Sequence, residues 1–190
     1  AEVEAHPLRG YARHARALLH LRPGRPLTHG YFHAPGLAAW VARGLAARRW
    51  EVAYLYSSAM APYVLGPAGK AGLRRRVCDL VDIDSEKFLA YAETTRPPMR
   101  QVYRREGRTL LALERRIARE CDHSLFVTEA EAQRFAQLAP ESARKIGWID
   151  NGVDLDFFDP DRPLPSPYPA AGPRLLLAED NAVNQWLALR

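Results

Sequence analysis

Along the 190 residues the hydrophobic pattern alternates between two periods. Apolar residues recur at helical spacing in "LRGYARHARALLHL", with Arg and His filling the other side. A second helical segment, "APGLAAWVARGLAARR", starts at Ala34 and carries a proline in its first turn, where the missing N–H is tolerated. "WEVAYLYSS" is a short continuous apolar run, read as a buried strand of about seven residues ending at Ser57-Ser58. "AMAPYVL" opens a further helix or turn, and "GPAGKAG" reads as a loop. "RRVCDLVDIDS" is a second strand, running into Asp82, Asp84 and Ser85. From Met99 to about Cys121 the pattern predicts a long helix with Met99, Tyr103, Leu110, Leu113, Ile117 and Cys121 on one face. "HSLFVT" is a third strand, "EAEAQRFAQLA" a helix, and "RKIGWID" a fourth strand. Beyond Pro160, "DRPLPSPYPAAGP" is a proline-rich linker over 161–173.

Strands separated by helices predict an α/β domain: a parallel sheet with helices on both faces. Ligands of such sheets bind outside the carboxyl ends of the strands. Polar residues collect at those ends: Ser57-Ser58, Asp82-Asp84-Ser85, Thr128-Glu129 and Asn151-Gly152. The pattern therefore says where a ligand would sit before it says which.

With 47% hydrophobic residues the chain can bury a core, which argues against wholesale disorder. No apolar run approaches the roughly 20 residues needed to span a bilayer. The first residues lack the charged start and apolar block of a signal peptide, and there is no initiator methionine, so the chain is expected to begin partway through something. Cys78 and Cys121 lie in apolar patterns and are expected to be reduced core residues of a cytoplasmic protein.

The net charge is +5, and arginine supplies the excess. Arg74-Arg75-Arg76 and the string Arg100, Arg104, Arg105, Arg108, Arg115, Arg116, Arg119 could attract nucleic acid, an anionic membrane face or phosphorylated substrates. The simpler reading is solvated helix faces. Nucleic acid is not expected as a partner, because no nucleic-acid motif accompanies the charge.

Four groups were candidates for chemistry. Thr128 and Glu131 match a capping box, with Glu131 reaching back to the Thr128 amide, and the free amides of that helix start could also hold an anion. Asp82 and Asp84 follow the strand's alternation if it continues that far; if it has ended, both could face the cleft and hold sugar hydroxyls or a proton. Glu106 and Glu114 stand eight residues apart on nearly the same face of the long helix, but the surrounding arginines make helical ion pairing the expected role. The six histidines form no metal set, and Cys78 is too apolar in context to be a nucleophile. Neither a phosphate-binding glycine loop nor a Gly-x-Ser-x-Gly elbow is present.

The segment "NGVDLDFFDP" resembles the Asn-Gly-Val-Asp...Phe...Pro segment that ends the N-terminal domain of family 4-like glycosyltransferases. "YSSAMAPYVL", "DLVDIDSEKFLAYA" and "YRREGRTLLALERRIARECDHSLFVTEAEAQRFAQLAPESA" stand in the same order as in bacterial sugar transferases of exopolysaccharide synthesis and PEP-CTERM sorting systems. The resemblance covers roughly residues 25–160. It implies one half of a GT-B enzyme, two Rossmann-like domains facing across a cleft. It further implies retaining transfer from a nucleotide-sugar to a glycan or lipid-linked acceptor, with no cofactor and no obligatory metal. Residues 1–160 would be the acceptor-side domain, cytoplasmic or peripheral at the inner membrane face. Ser57, Ser58, Asp82, Asp84, Ser85 and Thr128 would line the acceptor side, and Asn151 and Gly152 the cleft floor, with Asn-Gly supplying a turn of positive φ. Phe157, Phe158 and Pro160 would pin the departing chain.

Two departures shape the expectation. The family's first strand and glycine-rich loop are missing near the N-terminus, which would leave an unpaired sheet edge and favour self-association. The donor domain is absent, so the chain is expected to be inactive alone. Residues 174–190, "RLLLAEDNAVNQWLALR", resemble instead the first strand and helix of a response-regulator receiver, with Glu179 and Asp180 matching its acidic pair. The reading is a truncated or fused gene end. The alternative function is a non-catalytic Rossmann-like binding or signalling module joined to a receiver.

Overall fold

The structure, a computed structural model, describes residues 24–152 together with His6, His14 and Ala17. Four strands are present among the described residues: β1 (Val52–Tyr56), β2 (Arg75–Val81), β3 (His123–Phe126) and β4 (Ile146–Trp148). Six α-helices connect or flank them: α1 (Leu27–Phe32), α2 (Pro35–Ala46), α3 (Pro67–Gly72), α4 (Asp84–Thr94), α5 (Met99–Glu120) and α6 (Glu129–Leu138). All strand pairs are parallel and the sheet order is β1-β2-β3-β4. The domain is α/β and Rossmann-like, as the alternation of periods predicts.

The order of the strands fixes where the helices go. Each crossover steps one strand in the same direction, and right-handed crossovers then place every connecting helix on the same side. Leu55, Cys78, Leu80 and Phe126 of the sheet accordingly share one core with Val41 and Leu45 of α2, Ile117 of α5 and Phe135 of α6. The sequence led to helices on both faces; among the described residues they gather on one. The opposite face leaves Val52, Tyr54 and Tyr56 exposed, and among the described residues β1 pairs with β2 alone.

Local chemistry decides the element boundaries. "GPAGKAG", expected as a loop, closes into α3, because Gly66 takes φ 85° and Pro67 starts the helix with its fixed φ. The segment after Ile83 forms α4, which packs along α5 as an antiparallel hairpin. The two helices touch most closely at Gly107, where an added Cβ would lie 2.7 Å from Leu89 Cγ and 2.8 Å from the Ser85 carbonyl. Gly107→Ala is therefore expected to destabilise the domain by about 2 kcal/mol despite alanine's better helix propensity, read as a lower urea midpoint. Cys78 and Cys121 are free and buried. Burial pushes both thiols up, Cys121 to about 11 and Cys78 further, which leaves neither a thiolate nucleophile near neutral pH.

Candidate functional site

At the carboxyl ends of β1 and β2 the backbone is held in unusual conformations. Ser57, just after β1, has φ 72°, and Val81, the last residue of β2, has φ 68°. A β-branched residue in that region costs on the order of 1–3 kcal/mol and needs surrounding structure to hold it. Here the Val81 N–H donates to Asp79 Oδ1 at 3.0 Å, and its carbonyl accepts from the Val127 N–H at 3.1 Å. Leu80 is the extra residue of a bulge between the Asp79–Leu125 and Val81–Phe126 pairs. The strand is thereby ended sharply, and Asp82 and Asp84 leave the sheet without continuing its alternation.

Asp84 occupies the first position of α4. Ser58, buried behind it, donates its hydroxyl to Asp84 Oδ2 at 3.2 Å. Lys87 pairs with Asp82 and stands 3.7 Å from Asp84 Oδ1. Burial raises the Asp84 carboxyl above its usual range, against the opposing pull of Lys87 and the Ser58 hydroxyl. The carboxyl opens onto a cleft of about 430 Å³ whose other walls are Ala17, Leu27, Thr28, Tyr31, Phe32 and Phe88. That volume falls within the range of small-ligand sites, roughly 300–1,000 Å³. Aromatic walls and one carboxyl make a surface suited to a ligand with an apolar face and hydroxyl donors.

The walls of the cleft are placed by α5. Helix α1 begins after Pro26 and α4 after Ile83, and neither residue has a side chain that can cap a helix. Glutamates from α5 supply the missing acceptors. Glu106, 2% exposed, accepts from the Leu27 N–H at 2.8 Å, the Thr28 N–H at 2.8 Å and the Thr28 hydroxyl at 2.7 Å. Glu114, 1% exposed, accepts from the Ser85 N–H at 2.9 Å and the Ser85 hydroxyl at 2.5 Å. Glu120 does the same for α3, accepting from the Gly66 N–H at 2.5 Å. One helix thus anchors the starts of three others, two of which border the cleft. This overturns the expectation of surface ion pairing for Glu106 and Glu114: of the neighbouring arginines, Arg105 alone approaches Glu106, at 3.7 Å. Burial pushes Glu114 up to about 7, although both Ser85 bonds favour its charged form.

The sequence-derived candidates separate into groups. Ser58 and Asp84 meet at the cleft, Ser57 is half-buried beside them, and Asp82 is held by Lys87. Ser85 is corrected: it is wholly buried and bonded to Glu114, so it positions α4 and cannot touch a ligand. Thr128 is exposed and caps α6, accepting from the Glu131 N–H at 3.2 Å; its hydroxyl donates to Glu131 Oε2, so that carboxylate meets the hydroxyl and not the Thr128 amide. Asn151 and Gly152 are exposed, and neither takes the positive φ expected of an Asn-Gly turn. Phe157, Phe158, Pro160, the linker over 161–173, Glu179 and Asp180 lie outside the described residues. The aromatic walls from α1 and Phe88 were missed by the sequence reading. The available signal was the pair of helix starts without capping residues, facing two glutamates eight residues apart.

The arginines mostly have structural partners. Arg76 is buried, donating to the Val64 carbonyl at 3.4 Å and lying 3.9 Å from Glu120. Arg115 grips Glu141 through two bonds of 3.0 Å, and Arg116 pairs with Glu120 at 2.7 Å. Among the described residues no group of His, Cys, Asp and Glu could hold a metal ion, and no helix is long and apolar enough to cross a membrane. The site belongs to an α/β, Rossmann-like domain with a partly apolar cleft at the carboxyl edge of its sheet. No family model, curated protein or solved structure matches the chain.

Proposed function

We propose that this chain is the acceptor-side domain of a GT-B glycosyltransferase that moves a sugar from a nucleotide-sugar to a glycan or lipid-linked acceptor in cell-surface polysaccharide synthesis. The observation that carries the reading is the Ser58–Asp84 pair opening onto aromatic walls. Carbohydrates present C–H faces that pack on rings and hydroxyls that donate to carboxylates. The resemblance of residues 25–160 to family 4-like enzymes supports the same ligand class. In this reading donor binding belongs to the second domain of the GT-B architecture.

Ligand-detected NMR of the purified chain against short glycans, free nucleotides and nucleotide-sugars tests the proposal. The expected result is glycan binding with nucleotides silent, and a loss of at least about tenfold in affinity in Asp84→Ala, the scale of one hydrogen bond to a charged group. Glycan binding unchanged by Asp84→Ala would move the site elsewhere. Binding of nucleotides in preference to glycans would overturn the acceptor role.

A further inference from the structure

Three arginines gather at one end of the α4–α5 hairpin. Arg100, Arg104 and Arg108 recur every four residues along the first half of α5, on the side away from Leu110 and Ile117. A groove of about 380 Å³ between them is lined by Gln101, Arg104, Arg105, Arg108 and Thr109, so among the described residues its charges are positive. Arg100 donates from Nε to the Thr95 carbonyl at 2.9 Å, which fixes the stripe to the hairpin's turn. Beside it, Arg104 reaches Glu93 at only 3.9 Å, and that glutamate is largely exposed.

The same end carries an apolar tip. Tyr91 is 52% exposed and Met99 42% exposed, with Pro97 and Pro98 exposed between the two helices. Tyr91 stands 5.9 Å from Tyr103, the residue before Arg104, so the aromatic patch adjoins the arginine stripe. An exposed apolar tip bordered by arginines is the arrangement of interfacial membrane segments: the apolar groups enter the headgroup boundary while the guanidiniums meet lipid phosphates. Nucleic acid would be read by open ring faces. Here Phe88, Tyr91 and Tyr103 meet one another edge-on or tilted within 6.0 Å, so the rings form a cluster and not a row of parallel platforms for successive bases.

We infer that the tip of the α4–α5 hairpin, with Tyr91, Met99, Arg100, Arg104 and Arg108, is a docking surface for an anionic lipid bilayer. The inference deepens the glycosyltransferase reading by giving its peripheral membrane contact a surface, and its test is separate, since docking requires neither a glycan nor a donor. Co-sedimentation of the full chain with vesicles of phosphatidylcholine, with and without phosphatidylglycerol, tests it. The chain is expected to partition onto the phosphatidylglycerol vesicles and to be released by salt. Arg104→Gln/Arg108→Gln should lower partitioning roughly 25-fold, about fivefold per arginine. Met99→Gln should weaken it several-fold without changing the salt dependence, and the remote pair Arg43→Gln/Arg48→Gln should leave it within about twofold. Circular dichroism checks that each variant is folded. Equal partitioning with and without phosphatidylglycerol, equal loss in the two arginine pairs, or retention on DNA in place of vesicles would each overturn the inference.

Discussion

Glu106→Ala is expected to lower the stability of the domain by about 4 kcal/mol, the sum of two or three hydrogen bonds to a buried carboxylate. The size follows from what the side chain replaces. Helix α1 has only six residues, too few to persist by propensity, and its N-cap is a proline with nothing to offer the first amides. Glu106 accepts from two of those amides and from the Thr28 hydroxyl, across a sequence separation of nearly eighty residues. Alanine would leave the Leu27 and Thr28 N–H groups unbonded beside an empty site. Glu106→Gln should cost about half as much, since one oxygen still accepts while the amide nitrogen confronts a donor. A urea melt gives the loss, and hydrogen exchange at Thr28 and Tyr31 should rise well beyond that of Leu80 and Phe126. Uniform loss of protection across the domain would show that Glu106 holds more than α1.

Glu114 makes the second large prediction, and it depends on pH. Its carboxyl stands at about 7 in the fold against 4.5 for the free side chain, chiefly because burial disfavours the charge. The folded domain therefore binds the proton more tightly than the unfolded chain. The stabilisation is fully present below pH 4.5 and is lost as pH rises through about 7, by roughly 3 kcal/mol over that window. Glu114→Gln, which carries no titrating proton, should flatten this slope and be more stable than the parent at pH 8. Asp84, raised in the same direction, should leave a smaller slope behind. Glu114→Ala should lose the slope as well, but stay less stable than Glu114→Gln by about 2 kcal/mol at every pH, because the buried Ser85 N–H and hydroxyl lose their acceptor. Chemical denaturation at pH 5, 6, 7 and 8 measures all three proteins. A Glu114→Gln slope as steep as the parent's would assign the pH dependence to other groups.

These two glutamates also show what a sequence conceals. Their spacing placed them on one helix face, correctly, but nearby arginines are a local signal, and local signals favoured i, i+4 ion pairs. Their real partners, at Thr28 and Ser85, are brought to them by the fold. Ser85 illustrates the converse: its position after Asp84 at a strand end suggested a ligand contact, whereas the turn into α4 rotates it into the core. The strands were legible because continuous apolar runs such as "VAYLY" and "RRVCDLV" have a single interpretation between helical segments. The side of the sheet that the helices cover was not, because it depends on strand order, which no local pattern encodes. The short helix α3 was hidden by glycines that normally signal a loop; one of them, Gly66, turned out to be its N-cap. The cleft's polar residues, Ser58 and Asp84, were visible as strand-end residues. Its aromatic walls were not, since α1 is held at the carboxyl edge by partners distant in sequence, Glu106 and Tyr63 among them.

The central claim is that a saccharide occupies the cleft between α1 and the start of α4. A protein-observed NMR titration of the full chain, with whichever glycan binds in the ligand-detected screen, tests it most directly. The backbone amides of Thr28, Phe32, Asp84 and Phe88 should shift together along one saturating curve, and those of Asp84→Ala should not. Shifts confined to residues away from these four, or no shift with any glycan in a folded sample, would contradict the claim.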